Sequence, residues 1–227
     1  MLEDTSVVYI SEFFGTLVLT MTVVGSGIMA QSLTDDVAVQ LLINALATVA
    51  ILYILINLFS SLSGAHFNPI VTLVSFLRKE RTLATSVGYL VSQTFGGFLG
   101  VLTAHLMFNR MSLEFSSRER VGANLFLAEV IATFGLVILA FATWSDFSSH
   151  QRSIFIALWI GSAYFFTSST SFANPAVTIA RMFTESFSGI SPSSVPLFLV
   201  AQLLGGLLAW TVLRFSEGSR SGLTNER

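Results

Sequence analysis

The sequence predicts an all-α membrane protein built as an inverted repeat, with six membrane-crossing helices and two half-length helices meeting at the bilayer midplane. Three observations carry this. The 227 residues are 53% hydrophobic and only 11% charged, where a soluble domain carries charge on about a quarter of its residues. Apolar segments run almost from end to end. Two short segments, opening at Asn68-Pro69 and Asn174-Pro175, have the caps of helices but only half the length of spans.

The elements follow in order. Residues 1–6 are a short acidic lead, and 7–30 the first span, carrying the carboxylate Glu12. This segment is too long for a signal peptide and lacks a basic start and a small-residue cleavage site, so it reads as a retained span. A polar loop, 31–36, leads to the second span, 37–60. The first half-helix covers 68–77 and stops at Arg78-Lys79-Glu80-Arg81. The third span, 83–108, holds Gln93-Thr94-Phe95-Gly96-Gly97. A loop with charges of both signs, 109–120, precedes the fourth span, 121–144, which contains Glu129. The fifth span opens at Arg152 and runs into five consecutive hydroxyl residues, 167–171. The second half-helix covers 174–183. A Gly/Ser/Pro loop, 186–194, leads to the sixth span, 195–215, with Gln202, Gly205 and Gly206, and a polar tail follows.

Each half-helix starts with Asn at the N-cap, whose side-chain oxygen accepts from free backbone N–H groups, and Pro at the first helical position. About ten residues at 1.5 Å each reach roughly 15 Å, half of a hydrocarbon core about 30 Å thick. Irregular backbone at that depth must be buried in protein or line a wet cavity. Asn68 and Asn174 therefore read as the centre of a pore. The halves answer one another: Ser11-Glu12 and Ala128-Glu129, the two Asn-Pro pairs, and Gln93 to Gly97 and Gln202 to Gly206. Three spans per half insert the second half upside down and place the site at the repeat interface. The expected organisation is one channel unit over 1–227, with repeats at 7–108 and 121–215.

Composition excludes other classes. A net charge of -2 gives no reason to expect nucleic acid, and the absence of cysteine excludes disulfides, thiolate metal sites and Cys nucleophiles. No nucleophile–base constellation can be assembled, so neither an enzyme nor a cofactor is expected. Arg78, Lys79, Arg81, Arg152, Arg214, Arg220 and Arg227 fall on one side, which places that side and both termini in the cytoplasm. Arg110, Arg118 and Arg120 lie on the other, partly balanced by Glu114 and Glu119.

Paired Asn-Pro boxes in inverted repeats, Ser63-Gly64-Ala65-His66-Phe67-Asn68-Pro69 around the first, and Glu12 and Glu129 in spans one and four resemble the aquaporin (major intrinsic protein) family over residues 7–215. The resemblance implies a plasma-membrane homotetramer with one pore per subunit, passing water and small neutral solutes. Its pore centre would be Asn68, Pro69, Ile70, Asn174, Pro175 and Ala176. Glu12, Glu129 and His66 would support the half-helices; the other reading of the carboxylates is a proton relay in a coupled secondary transporter. A third class, a closed junctional tetramer, is disfavoured because the sequence carries no long adhesive loop. The sequence also departs from the family. Ile70 replaces a small Ala, adding bulk that either faces the pore or does not. Val177 stands where Arg is usual. By the family pattern the selectivity filter would be Thr48, Ser162 (to within one residue), Ser171 and Val177: small, uncharged and rich in hydroxyls. Arg181, on the face of Val177 and one turn further out, is either a pore-mouth cation or a snorkelling residue. Such a filter suits glycerol-like polyols, urea and uncharged metalloid acids. The text Ser171 to Arg181 resembles a bacterial branch associated with arsenic-resistance operons, which implies passage of arsenite and methylated arsenicals.

Overall fold

The computed structural model describes residues 5–110, 113–143 and 147–224, with side chains described from Ser6 to Glu217. Residues 1–4 of the acidic lead, Trp144 and Arg227 lie outside these residues, as does the side chain of Arg220. The described residues form helices only: α1 (Thr5–Leu33), α2 (Val37–Phe59), α3 (Pro69–Leu77), α4 (Leu83–Met107), α5 (Ala123–Phe141), α6 (Ser149–Phe166), α7 (Pro175–Ala180) continued by a 3-10 turn at Arg181–Phe183, and α8 (Val195–Thr224). Five of them, α1, α2, α4, α5 and α8, are long and apolar enough to cross a membrane.

α6 begins earlier than the Arg152 expected from sequence. Ser148 and Gln151 form a capping box, each side chain satisfying the other's backbone N–H, which adds a turn before Arg152. Arg152 then serves a different end. Its guanidinium donates to the carbonyls of Leu139, Ala140 and Ala142 at 2.9–3.2 Å, closing the C-terminus of α5, whose last carbonyls have no helical partner.

The halves pack alike. α1 lies along α4 and α5 along α8, while α2 packs on α6. Small residues let the first two pairs approach closely. A Cβ at Gly96 would sit 2.3 Å from the Phe13 carbonyl oxygen, and one at Gly205 2.4 Å from that of Val130, each a single residue past Glu12 or Glu129. The half-helices interlock across the repeats: α3 packs against α8 as well as α4, and α7 against α4 as well as α8. The outer surface is apolar, with Ile10, Leu46, Ile54, Phe95, Leu127, Leu158 and Val200 exposed, whereas Glu12, Gln93, Glu129 and Gln202 are wholly buried. That is the arrangement expected of a bundle solvated by lipid.

Ile70 is 4% exposed and packs with Val74, Val137, Ala209 and Leu213, away from the lumen described below. Its Cγ2 would lie 2.2 Å from a Cβ on Gly206; the bulk added in the first box is absorbed by the glycine opposite. Gly206→Ala should therefore cost about 1–3 kcal/mol by overpacking, read as a lower melting temperature in detergent. The same change made with Ile70→Ala should cost much less, because the clash partner is gone. Equal costs in both backgrounds would refute the pairing.

Candidate functional site

The half-helix tips are joined by two reciprocal bonds. The Asn68 side-chain nitrogen donates to the Ala173 carbonyl at 2.7 Å, and that of Asn174 to the Phe67 carbonyl at 2.7 Å. The side-chain oxygens cap their own helices, Asn68 accepting from Ile70 N at 2.9 Å and Asn174 from Ala176 N at 3.1 Å. An amide nitrogen carries two hydrogens, so each Asn keeps one for the cavity that both residues line. Two helix N-termini, each partly positive, thus face the same space from opposite repeats.

The backbone leading to each tip is unusual. Ala65, Phe67, Thr170, Ser171 and Ala173 all take left-handed φ values between 48° and 63°, each costing on the order of 1–3 kcal/mol for a residue other than glycine. The buried carboxylates hold these segments. Glu12 accepts from Ser63 Oγ, His66 N, Phe67 N and Gln93 Nε2 at 2.7–2.9 Å. Glu129 accepts from Phe172 N, Ala173 N and Gln202 Nε2 at 2.7–2.9 Å. Neither carboxylate lines the cavity. Gln93 also donates to Thr72, and Gln202 to Thr178, at 2.9–3.0 Å, so one network is built twice. His66 Nδ1 lies 3.1 Å from Thr72 Oγ1. Because Thr72 gives its only hydroxyl hydrogen to the Asn68 carbonyl, the His66 nitrogen is the donor.

The cavity has a volume of about 190 Å3 and runs past both Asn residues, from Gly64, Ser149 and Arg152 to Tyr164 and Arg181. At the first end it meets a wider space of about 530 Å3 lined by His66, Arg78, Glu80, Arg81 and Arg152. Of the residues singled out from sequence, Thr48, His66, Asn68, Ser171, Asn174, Val177 and Arg181 line this lumen; Pro69, Ile70, Pro175 and Ala176 do not. Ser162 is a correction: it is exposed on the outer face of α6. The α6 positions that do reach the lumen are Ile156, Ile160 and Tyr164, spaced four apart on one helical face, with Ser162 half a turn away. That spacing was the available signal; the length of the gap between the fifth span and the second box does not fix the register. Phe172 was also missed, although it stands in the second repeat where His66 stands in the first.

The end of the lumen at Arg181 is rich in cations. Arg181 is buried, donates from Nε to the Ser188 carbonyl, and lays its guanidinium carbon 3.4 Å from the centre of the Phe172 ring. Arg120 also packs over Phe172, at 4.9 Å, and donates to the Gly189 and Ser169 carbonyls. Burial, and then the neighbouring guanidiniums of Arg181 and Arg118, push Arg120 down to about 9. The loops on this side are tied by Glu185, whose carboxylate accepts from Ser117 N at 2.6 Å and Ser117 Oγ at 2.8 Å. The Ser117 backbone N–H is the main reason its pKa falls below the ordinary 4.5. A depressed carboxylate stabilises the fold above its unfolded value and loses that contribution as pH falls through the lower folded value. The melting temperature should hold from neutrality to about pH 5 and decline below 4.5, and Glu185→Gln should shallow that decline. An identical acid profile in the variant would exclude this clasp.

Fold and site together define a multi-pass helical membrane protein with an internal lumen centred on two opposed half-helices. The chain belongs to the major intrinsic protein family, whose model matches residues 4–172. It is 44% identical to aquaglyceroporin AqpS of Rhizobium meliloti (strain 1021) over 91% of this chain and 88% of that protein. It is 28% identical to aquaporin TIP2-3 of Arabidopsis thaliana over 88% of this chain and 83% of that protein. Among solved structures, the aquaglyceroporin from Plasmodium falciparum superposes with a TM-score of 0.64 at 21% identity, covering 92% of this chain and 95% of that one.

Proposed function

We propose that this protein is a passive channel for water and small neutral solutes, in which the repeats 7–108 and 121–215 form one pore. The observation that carries the reading is the reciprocal Asn68–Ala173 and Asn174–Phe67 pairing at the tips of two half-helices that line one lumen. Each Asn has a hydrogen left to donate, so a passing hydroxyl at the centre is turned to accept from both. A molecule so oriented cannot accept a proton from one neighbour while passing one to the next, and the positive helix ends oppose cations at the same point. Diffusion through such a lumen requires no reaction, cofactor or energy coupling.

The burial of Glu12 and Glu129 behind the half-helices, with their oxygens engaged by backbone and Gln donors, favours a supporting role over a proton relay. In the filter, Thr48, Ser171 and Val177 offer short side chains at the level where an Arg would narrow the family's pore, which suits glycerol-like polyols. The similarity to a protein named an aquaglyceroporin supports that class. The second-box text from Ser171 to Arg181 extends the reading to metalloid acids such as arsenite and its methylated forms. The basic residues on the Arg78 side put that mouth and both termini in the cytoplasm of a plasma membrane, with the Arg181 mouth outside. The working unit is proposed to be a homotetramer in which each subunit conducts.

The test is stopped-flow light scattering on reconstituted vesicles, comparing osmotic water flow with the entry of glycerol and of arsenite. Entry of both solutes well above that of empty vesicles, unchanged by an uncoupler, is expected. Water flow without solute entry would overturn the solute class, and uncoupler-sensitive accumulation would overturn passive transport.

A further inference from the structure

We propose that the outer constriction is set by two residues outside the Asn-Pro boxes, Tyr164 for width and Arg181 for charge. The inference rests on the channel reading above and assigns its selectivity to particular atoms.

Tyr164 is 3% exposed, and its hydroxyl lies 3.1 Å from Thr48 Oγ1, so a hydroxyl from α6 meets one from α2 at the lumen wall. The donor can be assigned. Thr48 has a single O–H and spends it on the Asn44 carbonyl at 2.8 Å, so Tyr164 donates to Thr48. The phenol is thereby fixed at the wall of the lumen that Val177 also lines, with its oxygen still able to accept. Val177 has less bulk than the Arg usual at its position, and the Tyr164 ring adds an aromatic wall to the same lumen.

Arg181 supplies the charge that Val177 lacks. Its Nε is held by the Ser188 carbonyl and its guanidinium rests on Phe172, while the two terminal nitrogens have no protein acceptor among the described residues and the side chain lines the cavity. Ser171 provides an independent sign that this level receives a ligand. Its Oγ is buried, lines the same cavity and has no hydrogen-bond partner. A buried unsatisfied hydroxyl is costly unless a passing molecule satisfies it. Arg181 donors, the Tyr164 acceptor and the Ser171 hydroxyl together match a small molecule bearing several hydroxyls, with Val177 packing against its carbon side. The guanidinium opposes any cation on the same path.

The two roles separate experimentally in proteoliposomes. Tyr164→Ala should raise the xylitol-to-glycerol permeability ratio at least threefold. Tyr164→Phe, which keeps the ring and removes the bond to Thr48, should keep the wild-type ratio to within a factor of two while lowering glycerol flux. Arg181→Gln should raise the valinomycin-driven proton leak at least tenfold relative to the osmotic water flow measured in the same vesicles. Only variants eluting at the wild-type volume are compared, with Tyr164→Leu replacing the Ala variant if that one aggregates. An unchanged polyol ratio on removing the ring overturns the width assignment, and an unchanged leak in Arg181→Gln overturns the charge assignment. Wild-type protein that passes no solute would defeat the channel reading and this inference with it; wild-type flux with indifferent variants would defeat this inference alone.

Discussion

Glu129→Ala is expected to yield no stably folded protein. The substitution strands three buried donors, the N–H groups of Phe172 and Ala173 and the side-chain amide of Gln202. Each costs on the order of 1–3 kcal/mol when left unpaired, and together they approach the whole stability of an ordinary domain, about 5–15 kcal/mol. The loss falls where it is least tolerable, since Ala173 sits at φ 48° and its left-handed backbone is held by that carboxylate. Glu129→Gln should be intermediate: its amide oxygen can still accept, but its NH2 now faces donors. Size-exclusion profiles and melting curves in detergent check this. Monodisperse Glu129→Ala protein melting within a few degrees of wild type would show that the carboxylate is not what holds the second half-helix. Glu12→Ala should behave in the same way, for the same reason in the other repeat.

The second large effect is expected at the filter. Thr48→Phe with Val177→Arg should cut glycerol permeability on the order of tenfold or more while leaving osmotic water flow within a few-fold of wild type. A barrier increase of about 1.4 kcal/mol is enough for each tenfold loss. The new Phe side chain would replace the hydroxyl that Tyr164 bonds and bring a second ring to the same level. The new guanidinium would stand one helical turn inside Arg181, itself already in the lumen, so the pore gains bulk and a second cation at once. Stopped-flow measurements on wild-type and double-variant vesicles decide it. Undiminished glycerol entry would mean that these two positions do not bound the path.

Some features of this protein are local and therefore legible in the chain. The Asn-Pro caps, the half-length of the segments behind them and the duplicated Glu, Gln and Gly-Gly positions are all set by neighbours in sequence. They determined the two half-helices and the repeat. Even the hydrogen bonding of the carboxylates was accessible, since a buried charge at matched positions in both halves needs matched donors. The limits of α6 were less so, because the Ser148–Gln151 capping box competes with the charge of Arg152 as a boundary signal.

The tertiary structure alone decided which side chains share the lumen. Ile70 could have pointed inward; it turns away because Gly206, on a helix from the other repeat, leaves room for its Cγ2. Ser162 could have been the span-five filter position; the rotation of α6, set by its packing on α2 and α5, turns it outward and brings Tyr164 to Thr48, 116 residues away in sequence. Arg181 could have snorkelled outward; the Ser188 carbonyl and the Phe172 ring fold it inward. Sequence determined the elements and the chemistry they carry, because caps, periodicity and burial of charge act over a few residues. Helix rotation and side-chain direction depend on contacts between distant segments, and those exist only once the two repeats have closed on each other.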